Sequence, residues 1–131
     1  MEKSVNIFRF KKFNVVNERS AMKVNTDGVL LGVAMTIMPG DRHMLDIGTG
    51  TGTIALMAAQ RSCTSFAGSQ DDSVCIDAID IDGSSLKDAE RNFASSPFST
   101  DMLDLKARLI SLQELAEESG MNIKGCADYY K

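Results

Sequence analysis

At Leu45-Asp46-Ile47-Gly48-Thr49-Gly50-Thr51-Gly52 an apolar stretch carrying one acid runs directly into three glycines at alternate positions. Glycine admits positive φ and the close approach of a ligand or of neighbouring backbone, so a strand that ends this way can turn within a few residues. The run that follows, Thr53-Ile54-Ala55-Leu56-Met57-Ala58-Ala59-Gln60-Arg61, is rich in strong helix formers. Strand, glycine loop and helix make the opening half of a βαβ unit, and such units build parallel sheets. A second strand is expected at Cys75-Ile76-Asp77-Ala78-Ile79-Asp80-Ile81-Asp82, where apolar and acidic residues alternate until Gly83-Ser84-Ser85 breaks the pattern. The fold class is therefore α/β, a parallel sheet with flanking helices.

The spacing of the glycines bears on what the loop holds. A dinucleotide fingerprint places its third glycine three residues after the second, whereas here it comes two after, and position 53 is Thr. Asp46 would repel a pyrophosphate but can meet a cationic group, such as the ammonium of a methionine moiety. The expected cofactor is S-adenosyl-L-methionine, with the free N–H groups and positive dipole end of the following helix directed at it. A tight turn with no ligand is the plainer alternative. At the tip of the second strand Asp80 fits a ribose diol, although it lies further from the loop than the usual gap of about twenty residues. The Ser/Thr/Gly/Asp-rich segment from Ser62 to Ser73 has the composition of a surface loop and accounts for the excess. Asp82 is a candidate for the same role or for a helix cap, which Ser84 or Ser85 could also supply.

Length and composition bound the rest. With 131 residues and 44% hydrophobic content the chain supports one core, and a domain of this size buries roughly two-thirds of its unfolded surface. Cys63, Cys75 and Cys126 contain no C-x-x-C pair and are odd in number, which fits reduced thiols and a cytoplasmic location better than a disulfide framework. His43 is the single histidine, so no metal site is expected. No signal peptide follows Met1-Glu2-Lys3-Ser4, and no apolar run approaches the roughly eighteen residues of a membrane span.

The net charge of −4 is uneven. Up to residue 25, Lys3, Arg9, Lys11, Lys12, Arg19 and Lys23 face only Glu2 and Glu18, which leaves +4 there and −8 in the remainder. That asymmetry points to a phosphate contact, with Arg9, Lys11 and Lys12 as candidate substrate-binding residues. Equally, lysines on an edge hairpin discourage unwanted strand pairing. Ile7-Phe8-Arg9-Phe10 and Phe13-Asn14-Val15-Val16 form that hairpin, expected against the sheet edge. A helix capped by Thr26 or Asp27 should run from Gly28 to Met38 and stop at Pro39-Gly40. A helix from Ser84 to Phe93, a strand from Leu105 to Ile110 and a helix from Leu112 to Glu118 ending at Gly120 complete the sequence of elements.

Taken together, the segment Ala21-Met22-Lys23-Val24-Asn25-Thr26-Asp27-Gly28-Val29-Leu30-Leu31-Gly32, the glycine loop with Ile54-Ala55-Leu56-Met57, and Ala78-Ile79-Asp80-Ile81-Asp82 resemble the bacterial tRNA(Val) adenine-N6 methyltransferases. The glycine loop alone is shared by class I methyltransferases generally; the Lys-x-x-Thr-Asp-Gly-x-Leu-Leu-Gly segment is more specific. The resemblance implies a Rossmann-like class I methyltransferase fold, with an N-terminal hairpin and helix over residues 1–40 and a partial cofactor-binding domain over 41–131. It implies Lys23, Thr26 and Asp27 at the methionine end of the cofactor, Asp46, Gly48, Thr49, Gly50 and Gly52 lining its pocket, and Asp80 on its ribose. The segment around Ser111-Leu112-Gln113 would approach its adenine. It further implies tRNA as partner and methylation of an adenine amine beside the anticodon.

The same family carries Asn-Pro-Pro-Tyr after its fourth strand, where the target base is held. This sequence has only Pro39 and Pro97, neither beside another proline, and ends at Tyr129-Tyr130-Lys131. The expectation is a chain holding the cofactor part without catalytic residues, its glycine-loop strand left with a bare edge prone to self-association. The alternatives are a methyltransferase acting on protein or a small molecule, and a non-catalytic cofactor-binding or assembly module.

Overall fold

The computed structural model describes residues 6–20, 23–38, 40–65, 73–98, 100 and 103–120. Two short strands, β1 (Ile7–Arg9) and β2 (Asn14–Val16), pair antiparallel and are followed by helix α1 (Thr26–Ala34). Next come β3 (His43–Ile47), α2 (Thr53–Ser65), β4 (Val74–Asp80), α3 (Gly83–Ser95), β5 (Leu103–Leu109) and α4 (Leu112–Ser119). β3, β4 and β5 form a parallel sheet in that order, with Leu45 opposite Asp77 and Asp80 opposite Leu109. This is the Rossmann-like arrangement expected.

Sequence and burial agree along each element. In β4, flanked on both sides, Val74, Ile76, Ala78 and Ile79 are buried, as a central parallel strand requires. β3 pairs only with β4 among the described residues, and Leu45 and Ile47 remain exposed. The core joins Ala55, Leu56, Ala58 and Ala59 of α2, Ile76 of β4, Ala89 and Phe93 of α3, and Leu103 of β5 with Phe13 and Val15 from the hairpin. Full burial of a side chain such as Leu56 or Ile76 contributes about 1.5–3 kcal/mol. α1 lies on α2 at Gly32, where a Cβ would run into the Met57 thioether.

Several boundaries differ from expectation. The cap of α1 is Asn25, whose Oδ1 accepts from the Gly28 amide at 2.9 Å, and neither Thr26 nor Asp27 fills that role. α1 ends at Ala34, short of Met38, where the Arg61 guanidinium donates to the carbonyls of Gly32 (3.1 Å) and Met35 (2.6 Å). A cation at a helix C-terminus is favoured by the dipole. α2 continues past Arg61 to Ser65, so Ser62 is a buried helical residue, and residues 66–72 of the expected loop lie outside the described residues. β4 stops at Asp80, two residues early, because Asp82 turns to cap α3. The hairpin is a separate two-stranded sheet with β2 against α3, not a strand pair on the main sheet. Tyr129, Tyr130 and the rest of the tail lie outside the described residues.

Candidate functional site

The three glycines do what the alternate spacing implied: Gly48, Gly50 and Gly52 have φ of 71°, 56° and 83°. They differ in their surroundings. A Cβ on Gly48 would meet nothing within 4 Å, so the loop is open there, whereas one on Gly52 would come within 2.6 Å of the Phe93 ring. Gly52 is thus required for packing of the loop on α3, and Gly48 for the turn itself.

Most of the loop's donors are already engaged. Gly48 and Thr49 amides both donate to the Ile79 carbonyl, at 2.9 and 3.0 Å, and the Gly52 amide donates to the Thr49 carbonyl. The Gly50 amide donates to Asp80 Oδ2 at 2.9 Å, while Asp80 Oδ1 accepts from the Asp82 amide at 2.9 Å. Asp80 therefore fastens the tip of β4 to the glycine loop, and its remaining lone pairs stay available to hydroxyl donors. Asp82 caps α3 through Ser84 and Ser85, the plainer of its two expected roles.

Asp46 sits where the dipole of α2 was expected to meet a ligand. Its Oδ2 accepts from the Thr49 hydroxyl at 2.7 Å, and the Ala55 amide in the first turn of α2 also donates to it. Burial pushes its carboxyl above the ordinary value of 3.8, with those two hydrogen bonds opposing the rise and the nearby Asp80 charge adding to it. A negative group thus occupies the N-terminal end of α2. Together with the engaged amides it leaves the loop suited to close approach by a ligand and poorly suited to a phosphate.

A cleft of about 290 Å³ opens beside the loop, lined by Lys23, Val24, Asn25, Asp27, Gly28 and Leu31 on one side and by Gly48, Thr49, Gly50, Thr51, Thr53 and Ile54 on the other. Of the predicted residues it gathers Lys23, Asp27, Gly48, Thr49 and Gly50. Asp46 lines a neighbouring hollow of about 170 Å³ with Asp41, Met44 and Ile54. Thr26 faces a third hollow with Phe8, Val29 and Leu30. Leu112 opens α4 and is half-buried; the Ile110 amide two residues before it donates to the Asp80 carbonyl at 3.1 Å. Arg9, Lys11 and Lys12 are exposed on the hairpin, and Lys11 borders a further hollow between Phe10, Val33 and Arg61.

Three residues that the sequence did not single out hold this site together. Asn92, wholly buried on α3, donates to the carbonyls of Thr51 (2.8 Å) and Val16 (3.0 Å) and accepts from the Val16 amide (2.7 Å). Asp88, one turn earlier and also buried, accepts from the amides of Arg19 (2.8 Å) and Ser20 (2.7 Å). The Ser20 hydroxyl lies 3.6 Å from where a Gly50 Cβ would stand. The available signal was positional: Asp88 and Asn92 fall on the same helical face as Ser85, Ala89 and Phe93, where apolar residues belong.

No protein-family model matches the chain. Among curated proteins, the tRNA1(Val) (adenine(37)-N6)-methyltransferase of Citrobacter koseri is 47% identical over 93 residues, 71% of this chain and 34% of that protein. The protein of the same name from Parabacteroides distasonis is 50% identical over 70% of this chain and 34% of its own length. That from Flavobacterium psychrophilum is 43% identical over 86% and 43%. The chain thus spans between about a third and two-fifths of the curated relatives it matches. The resemblance seen in the glycine loop and in Lys23 to Gly32 is borne out: over most of its own length the chain is similar to the tRNA1(Val) (adenine(37)-N6)-methyltransferases.

Proposed function

We propose that the chain provides the S-adenosylmethionine-binding part of a cytoplasmic methyltransferase acting on N6 of an adenine in tRNA. The observation that carries this reading is the bond from the Gly50 amide to Asp80, which brings a ribose-competent carboxylate against an open glycine loop. The residues fit such a ligand: the cleft is open at Gly48, a cation and an acid face it from Lys23 and Asp27, and the loop offers little to a diphosphate.

When bound, the cofactor supplies an electrophilic methyl group on a sulfonium. The chain's own residues bind and orient. Asp80 accepts from the ribose hydroxyls, Lys23 and Asp27 pair with the carboxylate and ammonium of the methionine end, and Gly48 to Gly52 allow the close approach. Asp46 contributes negative potential behind Thr49, and Leu112 gives an apolar edge to the adenine. Arg9, Lys11 and Lys12 contact phosphates of the tRNA. No residue here is assigned a catalytic role, so the chain's part in the reaction is positioning.

Calorimetric titration with S-adenosylhomocysteine, on material shown by light scattering to be unaggregated, tests the reading. Saturable binding that Asp80→Ala abolishes is expected. A folded wild-type chain that takes up no ligand would overturn it.

A further inference from the structure

We infer that Asn92 is a positioning residue that couples the placement of the N-terminal hairpin to occupancy of the glycine-loop cleft. The inference rests on the proposed ligand site and adds a link between that site and the hairpin's cations. One primary amide has two N–H donors and one carbonyl acceptor, and here each is committed. The donors go to Thr51 of the glycine loop and to Val16 at the end of β2, and the acceptor takes the Val16 amide. The group is fully buried, so water cannot substitute for a lost partner. A shift of the loop around a ligand therefore moves the Thr51 carbonyl, and through the same rigid amide plane moves Val16.

Asp88 extends the link. It holds the amides of Arg19 and Ser20, just past the hairpin, and Lys23 a few residues on lines the cleft. Ser20 completes the circuit by sitting over Gly50. The hairpin carrying Arg9, Lys11 and Lys12 is thus hydrogen-bonded to the loop through Asn92 of α3. By thermodynamic reciprocity, whatever binds the hairpin must alter affinity at the loop by the same factor as the reverse.

Backbone hydrogen exchange of the 131-residue chain, with and without saturating S-adenosylhomocysteine, tests this. Slowed exchange is expected at Val16, Arg19 and Ser20 as well as in the glycine loop. Asn92→Asp keeps the shape and the acceptor but removes both donors. It should weaken S-adenosylhomocysteine binding on the order of tenfold and confine the added protection to the loop. Val74→Ala, at the far end of β4, serves as a destabilised control that should lose melting temperature while keeping both affinity and the spread of protection. Binding by the wild type with protection limited to the loop would overturn the coupling and leave the ligand site standing. Absence of binding would overturn both. Should Asn92→Asp fail to fold, the wild-type exchange pattern alone decides.

Discussion

Gly48 and Gly52 share a left-handed backbone but not an environment, and this separates two costs that are usually mixed. Placing a side chain at such φ costs about 1–2 kcal/mol in either case. Gly52→Ala adds a collision with the Phe93 ring, so its loss of stability should exceed that of Gly48→Ala. Chemical denaturation of the two variants checks the order; equal losses would mean that Phe93 moves aside freely. At Asp46 the effect concerns pH. Its carboxyl is raised above 3.8 by burial, so the folded chain retains a proton that the unfolded chain releases. The ionised form therefore costs stability, and that contribution falls as pH rises from 3.8 through the raised value. Asp82, lowered by its bonds to Ser85 and Ser84, acts in the opposite sense, its contribution being lost as pH falls below 3.8 through its lowered value. Asp46→Asn should hold or raise the melting temperature at neutral pH while weakening S-adenosylhomocysteine binding. A lower melting temperature would show that its bond to Ala55 outweighs the burial of its charge.

At the scale of elements, the sequence was most legible where one local rule decided the outcome. The glycine loop, the alternation in β4 and the Gly120 terminus of α4, which adopts φ of 67°, are all set by neighbours within a few residues. Ser111 caps α4 by accepting from the Glu114 amide at 3.1 Å, so Ser111→Ala should cost about 1 kcal/mol, measurable by denaturation. What escaped the sequence depends on distant partners. The end of α1 is set by Arg61, 26 residues beyond Met35, and the hairpin is placed by Asn92, 76 residues from Val16. A buried amide whose three hydrogen bonds go to two distant segments has no local signature. For the same reason Asp80 could be given a ligand role from sequence, but its bond to Gly50 could not be foreseen.

For the molecule as a whole, the edge of β3 away from β4 is unpaired among the described residues. Leu45 is 39% and Ile47 56% exposed, while α1 shows Leu30, Leu31 and Val33 to solvent. An edge of this kind is a template for strand addition. We predict concentration-dependent self-association of the isolated chain, reduced by Ile47→Lys, with light scattering or sedimentation as the readout. A chain that stays monomeric at high concentration would show that this edge is inert. Among the described residues no helix is long and apolar enough to cross a membrane.

The engaged amides of the glycine loop have a consequence for life among competing metabolites. Nucleotides and other phosphate esters abound in any cell, and an open helix terminus with idle donors would attract them indiscriminately. Here Ile79, Thr49 and Asp80 take the amides of Gly48, Thr49, Gly50 and Gly52 in the loop ahead of α2, and Asp46 accepts from the Ala55 amide at the helix end. The loop is thus poorly placed to receive a phosphate before any ligand arrives, because its amides are held by hydrogen bonds internal to the protein.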